Sequence, residues 1–339
     1  MRAEYESLVK DGLLAYVPSG DVLASGVFDF ERILPVMEEA YAAHYKGDFR
    51  MPNSEYLRYD GRPSYDRIIS LLGYLGGPFG VSGVKEICSS TENRTLDLPR
   101  ASGLIILNDP GTQRPFAILE ASKISAARTA AVTGLAIRFL RPGRIGKVAF
   151  IGCGFLARIH AMMWSQLYSG ECGTLHVFDA RGKSSREFVS WLGVECGLKA
   201  VVCRSAEEAV RNSDLIVPMT TAEEPYIKPE WVKGDSLYSA VSLLDPELGV
   251  LEGSDCIVVD DERLCRSEGR PMQRLEQAGG LRGIRLHTMG EVICRGLRLR
   301  DGCSRIFFNP MGTVITDLAL ASHVLENARR ENRVQYLRV

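Results

Sequence analysis

No two cysteines in this sequence stand at C-x-x-C spacing, no two histidines stand four apart, and no block of like charge or long apolar run interrupts it. Each absence excludes a class of protein. The nine cysteines, at positions 88, 153, 172, 196, 203, 256, 265, 294 and 303, are odd in number and carry no framework spacing, so reduced thiols are expected rather than disulfides. His44, His160, His176, His287 and His323 offer no zinc or metalloprotease pattern, and no metal is expected. Forty-one basic side chains balance forty-two acidic ones, a net charge of −1, which leaves no arm for nucleic acid and favours a small-molecule partner. No apolar segment approaches membrane-spanning length, and the opening MRAEYESLVKDGLLAYVPSG lacks a basic start followed by an apolar run. The expectations are no membrane association and a cytoplasmic location.

What the sequence does contain is a nucleotide-binding signature. Lys147 to Ile151 read as a strand that runs into Gly152-Cys153-Gly154-Phe155-Leu156-Ala157, a G-x-G-x-x-A turn, and then into a helical pattern. Phe155, Leu156, Ile159, Met162, Met163 and Leu167 share one apolar face of that helix, with Arg158, Ser165 and Gln166 outside it. Gly152 permits the tight turn, Gly154 lets the backbone approach a pyrophosphate, and Ala157 allows close packing of helix on strand. A second strand, Thr174 to Phe178, ends at Asp179, about 20 residues beyond the motif, where an acid suits the ribose hydroxyls of NAD and repels the 2′-phosphate of NADP. Arg181 and Lys183 close behind weaken that preference, and a helix N-cap is the alternative role for Asp179.

At 339 residues the chain suits two domains. A helix over Asp29 to Lys46 precedes short strands at 55–59, 67–72, 80–87, 101–108 and 115–120, joined by turns such as Asn108-Asp109-Pro110-Gly111, so an antiparallel or mixed sheet is expected first. A small-residue helix from Ser125 to Leu140 leads past Arg141-Pro142-Gly143 into the nucleotide strand. Strands and helices then alternate through 200–203, 206–211, 215–218, 236–240 and 256–260, the pattern of a parallel sheet wound with helices. From Phe307 onward the chain reads as a turn followed by a long amphipathic helix that returns to the first domain. The fold class is α/β, a Rossmann doubly wound parallel sheet plus an α+β domain. The expected division is residues 1–125 with 315–339 and residues 126–314.

Several residues are candidates for chemistry, each with a plainer reading beside it. Lys85 lies among apolar and small neighbours in Val81-Ser82-Gly83-Val84-Lys85, where it is either a buried cation or a surface lysine on an edge strand. Arg128 interrupts a run of alanines, as a carboxylate or phosphate clamp or a solvated helix residue. Arg58 and Arg100 flank other strands. Asp245 follows Val241-Ser242-Leu243-Leu244 and precedes Pro246, at a strand end on the ligand edge of such a sheet, or merely in a turn.

The strings RASGLIILNDP at 100–110, EASKISAARTAAV at 120–132, GCGFLAR at 152–158 and NPMGTVITD at 309–317 together resemble the ornithine cyclodeaminase and μ-crystallin family, over roughly residues 50 to 325. The resemblance implies an N-terminal substrate-binding and dimerisation domain completed by the C-terminal helix, a Rossmann domain, an NAD cofactor and a homodimer. It implies that Arg58, Lys85, Arg100 and Arg128 hold substrate carboxylates, with Arg128 also near the cofactor and Met311 at the substrate. Asp245 would move protons at the amine, with Lys85 beside it in catalysis. Gly152, Gly154, Phe155, Leu156, Asp179, Thr220, Thr221, Ser242, Leu243 and Pro310 would line the cofactor. Within the family the fullest likeness is to dehydrogenases that release L-2,3-diaminopropionate and 2-oxoglutarate from a glutamate-derived secondary amine, for siderophore or peptide natural products. Ornithine cyclodeamination, alanine dehydrogenation and ketimine reduction are the alternatives, with a nucleotide-dependent binding protein a more distant one. Cyclodeaminases carry Gln at the Leu156 position and Lys where this chain has Gly249, which argues against cyclisation.

Overall fold

In the computed structural model, residues 10–63, 65–141, 145–170, 174–242, 244–267 and 270–338 are described. Cys172 and the Pro142-Gly143 turn lie outside them. The chain divides into two compact units, one running to Arg128 and resuming at Thr313, the other Thr129–Gly312.

The first unit is built on a mixed eight-stranded sheet. Its centre is antiparallel: Arg67–Leu75 pairs with Val81–Ser89, which pairs with Ala101–Asn108, which pairs with Pro115–Glu120. The turn between the last two is closed by Asp109, whose carboxylate accepts from the Thr112 amide and hydroxyl, both at 2.7 Å. Glu55–Arg58 and Phe49–Arg50 pair antiparallel with Arg67–Leu75 at one edge. At the other edge lie two strands that the sequence pattern does not reveal. Leu13–Val17 runs parallel to Pro115–Glu120, and Gln335–Arg338 runs antiparallel to Leu13–Val17.

The helix Phe30–Tyr45 starts at Asp29, whose side chain accepts from the Arg32 amide. The helix Ala121–Leu140 begins four residues before its expected start because Glu120 caps it, accepting from the Ser122 amide at 2.6 Å and the Lys123 amide at 3.2 Å. The last helix, Val314–Arg330, is not simply amphipathic. Every residue from Val314 to Ser322 is buried, because its first half passes tightly over the sheet. A Cβ on Gly73 would lie 2.5 Å from Val314 Cγ1, and one on Gly83 would lie 2.8 Å from Leu318 Cδ2.

The second unit is a fully parallel eight-stranded sheet. In spatial order its strands are Ala200–Val202, Thr174–Phe178, Lys147–Ile151, Leu215–Pro218, Ser236–Ser239, Arg305–Asn309, Cys256–Val259 and Arg285–Thr288. Strand order reverses beside Lys147–Ile151, the switch point where doubly wound sheets bind nucleotides. One sequence expectation is corrected here. Phe307 and Phe308 belong to an interior strand, not to a turn, and both are buried, with Phe307 stacked on Tyr238 at a centroid distance of 5.0 Å. A strand buried on both faces has no alternation to betray it. No helix among the described residues is long and apolar enough to cross a membrane.

Candidate active site

Strand Lys147–Ile151 is buried over its last four residues and delivers Gly152 at φ +92°. A Cβ there would lie 2.5 Å from the Met219 carbonyl oxygen, so the turn admits only glycine. Gly154 precedes the helix Phe155–Leu167, and a Cβ on it would meet nothing within 4 Å. Open space therefore adjoins the first helical turn, where free amides and the helix dipole favour an anion. Ala157 is fully buried, as close helix packing requires. Phe155 departs from the expected apolar face: it is 54% exposed, and full burial begins two residues later at Ala157. Leu156 is half-buried, and its carbonyl takes the Nδ1 proton of His160 at 2.9 Å. Burial pushes His160 down to about 4, so it is a neutral structural residue.

Asp179 does more than end the second strand. Its Oδ2 accepts from the Cys153 amide at 2.9 Å and its Oδ1 from the Arg181 amide at 2.9 Å, while its own amide donates to Ser185 Oγ at 2.9 Å. The acid thus braces the glycine turn from the neighbouring strand. Arg181 Nε lies 3.6 Å from the same carboxylate, and Lys183 is engaged with Glu187 at 3.6 Å. The turn, its open anion position and this acid together fit a dinucleotide.

Asp245, in the same unit, is 1% exposed. Its Oδ1 accepts from the Thr220 hydroxyl and, at 2.9 Å, from the Tyr226 hydroxyl. Its Oδ2 is buried without a partner among the described residues. Burial, then the Asp245 charge, raises the Tyr226 hydroxyl above its ordinary range, so it stays protonated and donates. Tyr238 is raised for the same two reasons. Backbone bonds fix the loop, since the amides of Tyr226 and Ile227 donate to the Asp245 carbonyl at 2.9 and 2.8 Å. The Thr220 amide donates to Ser242 Oγ at 3.0 Å, whereas Thr221 is exposed. Leu243 lies outside the described residues. Pro310 is buried and Met311 packs partly buried against the core. The N-P-M-G turn is held by Asp260, whose Oδ2 accepts from the Gly312 amide at 2.8 Å.

In the first unit Lys85 is 2% exposed and sits on an interior strand, so the surface edge-strand reading fails. Its Nζ lies 2.6 Å from Asp317 Oδ2, and Arg128 Nε lies 2.9 Å from Asp317 Oδ1. Ser125 Oγ is within 3.3 Å of Lys85 Nζ and 3.4 Å of Arg128 Nη2. Arg128 is 9% exposed and is no solvated helix residue. Burial, the largest effect, lowers Lys85 to about 8 against the attraction of Asp317. Two cations around one carboxylate leave a surplus positive charge, which suits an anionic ligand. Arg58 is exposed, with its guanidinium 4.6 Å from the Tyr56 ring centroid, and Arg100 is half-buried.

Asp317, Tyr226 and Asp260 are the residues that sequence reasoning passes over. A signal existed for Asp317, a lone acid at the head of the apolar run Leu318-Ala319-Leu320-Ala321. Tyr226 and Asp260 meet their partners only through the folded chain.

A dinucleotide turn at the switch point of a doubly wound parallel sheet, with a buried acid in the same unit, defines an NAD-dependent oxidoreductase. The chain belongs to the ornithine cyclodeaminase/mu-crystallin family, whose model matches residues 25–332. It is 30% identical over 325 residues to the N-((2S)-2-amino-2-carboxyethyl)-L-glutamate dehydrogenase of Staphylococcus aureus (strain NCTC 8325 / PS 47), covering 94% of this chain and 96% of that one. It is 28% identical to the alanine dehydrogenase of Archaeoglobus fulgidus, over 92% and 96% of the two chains. Among solved structures, an archaeal alanine dehydrogenase dimer with bound NAD superposes with a TM-score of 0.83 at 27% identity, over 96% of this chain and 99% of that one.

Proposed function

We propose that this NAD-dependent amino-acid dehydrogenase, acting on a CH–NH bond, oxidises N-((2S)-2-amino-2-carboxyethyl)-L-glutamate. The glutamyl Cα–H and N–H are lost, the C=N bond forms, and water then cleaves the imine to L-2,3-diaminopropionate and 2-oxoglutarate. NAD, when bound, accepts the hydride. The observation that carries the reading is the asymmetry of Asp245: one oxygen is held by Thr220 and Tyr226, and the other is buried and unpartnered. That oxygen takes the amine proton and afterwards activates water, the work of a general base. Lys85 and Arg128 hold a carboxylate, with Asp317 fixing both cations. Arg58 and Arg100 serve the remaining carboxylates, and Met311 borders the substrate.

The amides around Gly152, Gly154, Phe155 and Leu156 would hold the cofactor's pyrophosphate, and Asp179 its adenosine ribose. Thr220, Thr221, Ser242 and Pro310 would serve its nicotinamide end. The S. aureus relative supplies the substrate by analogy. Siderophore or peptide natural-product synthesis is the setting, because diaminopropionate is a building block of such molecules. Ornithine cyclisation is disfavoured by the surroundings of Gly249, where a Cβ would lie 2.6 Å from Pro229 Cγ and the lysine of cyclodeaminases does not fit. One face of the first unit's sheet carries half-buried Val84, Ile106 and Ile118 with exposed Leu72 and Leu104, and a homodimer formed through it accounts for that apolar surface. The test is NADH absorbance with this amine, alongside L-alanine and L-ornithine. NADH formation confined to the amine supports the reading, and turnover of either other substrate instead refutes it.

A further inference from the structure

A large cavity in the second unit shares no residue with the site described above. Its volume is about 830 Å³, and its charged lining is Arg138, Arg141, Arg298 and Arg300 with a single carboxylate, Asp301. The walls are connections that lead into strands. Residues 138–141 precede Lys147–Ile151, Gly170 precedes Thr174–Phe178, and residues 296–301 run from the helix Met289–Arg295 towards Arg305–Asn309. In a fully parallel sheet such connections gather at the amino edge, whereas the Gly152 turn and the loop that carries Asp245 leave from the carboxyl edge. A strand of five residues, roughly 16 Å, separates the two edges. The cavity is a separate place in the fold.

Composition does not account for the charge gathered there. The chain carries a net charge of −1, yet four guanidinium groups share this lining with one acid. A basic residue in a last helical turn answers the helix dipole, which explains Arg138 at the end of Ala121–Leu140. It does not explain Arg298 and Arg300, which lie past the end of Met289–Arg295. Arg298 enters no ion pair among the described residues. Arg300 meets Asp235 only at 3.9 Å, with both side chains exposed. Like charges around one cavity repel, and an entering anion relieves that repulsion through charge-assisted, bidentate bonds. Phe139 and Leu297, both half-buried, add an apolar wall. A bare inorganic ion would leave that wall and most of the volume unused.

We propose that this cavity is a second ligand site, which binds an organic polyphosphate of the nucleoside triphosphate kind. The arginines take the phosphates, and the base lies against Phe139 and Leu297. The assigned reaction does not use the cavity, and the inference does not depend on that reaction.

Calorimetric titration of the NAD-saturated protein with magnesium-free ATP tests the site. Saturation with NAD closes the dinucleotide turn to the probe, and sodium chloride at about 150 mM suppresses loose surface binding. Saturable binding of ATP is expected, about tenfold tighter than that of inorganic triphosphate, because only ATP reaches the apolar wall. Arg298→Gln and Arg300→Gln should each weaken ATP by about three- to tenfold, and together by more than about tenfold, with NAD affinity unchanged. Both positions are exposed, so the fold should tolerate the changes, and Arg298→Lys should keep part of the affinity. No saturable binding below about 1 mM, or ATP binding that survives the double variant, would overturn the proposal. Equal affinity for ATP and triphosphate would overturn it in favour of a place for anions alone. Tighter binding of a glutamate-rich peptide of equal charge would overturn it in favour of a protein partner.

Discussion

Lys85 and Asp317 are separated by 232 positions in sequence and by 2.6 Å between Nζ and Oδ2 in space. The contact joins an interior strand to the last helix, and it places a carboxylate between two buried cations. Removing that carboxylate should cost more than a hydrogen bond. Asp317→Asn leaves Lys85 and Arg128 buried and uncompensated, and a loss of about 3–5 kcal/mol in unfolding free energy is expected from urea titration. Adding Lys85→Met should return part of the loss, because it removes one of the stranded charges.

The depressed basicity of Lys85 predicts a pH dependence with a definite sign. Folding lowers this lysine to about 8 from 10.5, so between those values the unfolded chain holds the extra proton. Stability contributed by this group therefore rises as pH climbs from about 8 to 10.5, and its penalty is fully present below 8. Lys85→Met should flatten that rise in unfolding measurements. Carboxylate binding favours the charged ammonium, so KM should increase above pH 8 while kcat changes less.

Asp245→Asn keeps shape and removes the base. A fall of about 10²–10⁴-fold in kcat is expected, with NAD affinity nearly unchanged. Tyr226→Phe removes one hydrogen bond to the carboxylate and should lower kcat while leaving NAD affinity nearly unchanged. Near-normal turnover by Asp245→Asn would reduce Asp245 to a turn residue.

Asp179 carries two loads, which makes its substitution informative. Asp179→Ala should narrow the preference for NAD over NADP, and it should also weaken NAD itself by roughly tenfold because the Cys153 amide loses its acceptor. Fluorescence titration of both cofactors separates these effects. An unchanged NAD affinity would show that the turn stands without the brace.

The apolar sheet face predicts a dimer in sedimentation at micromolar concentration. Leu104→Glu, on an exposed position of that face, should shift the species towards monomer. A wild-type monomer would contradict the assignment.

Local signals were enough for much of this. The strand, glycine turn, helix and Asp179 read directly from sequence because each obeys a short-range rule, and the alternation from Ala200 to Val259 identified the parallel sheet. The edge strands Leu13–Val17 and Gln335–Arg338 were invisible, being short and paired with each other across nearly the whole chain. Arg305–Asn309 escaped because an interior strand has no polar face. Lys85, Arg128 and Asp245 stood out as polar residues in apolar settings. Asp317 shows in the sequence only as a lone acid before an apolar run, and its pairing with Lys85 and Arg128, like that of Tyr226 with Asp245, comes from long-range packing.

The proposed reaction is oxidation at the glutamyl carbon with Asp245 managing the protons. The most direct measurement supplies N-((2S)-2-amino-2-carboxyethyl)-L-glutamate deuterated at the glutamyl α-carbon and examines the nucleotide and products by mass spectrometry. The predicted result is one deuterium in each NADH formed, with equal amounts of 2-oxoglutarate and L-2,3-diaminopropionate. Unlabelled NADH, or no reduced nucleotide at all with wild-type enzyme and saturating NAD, would contradict it.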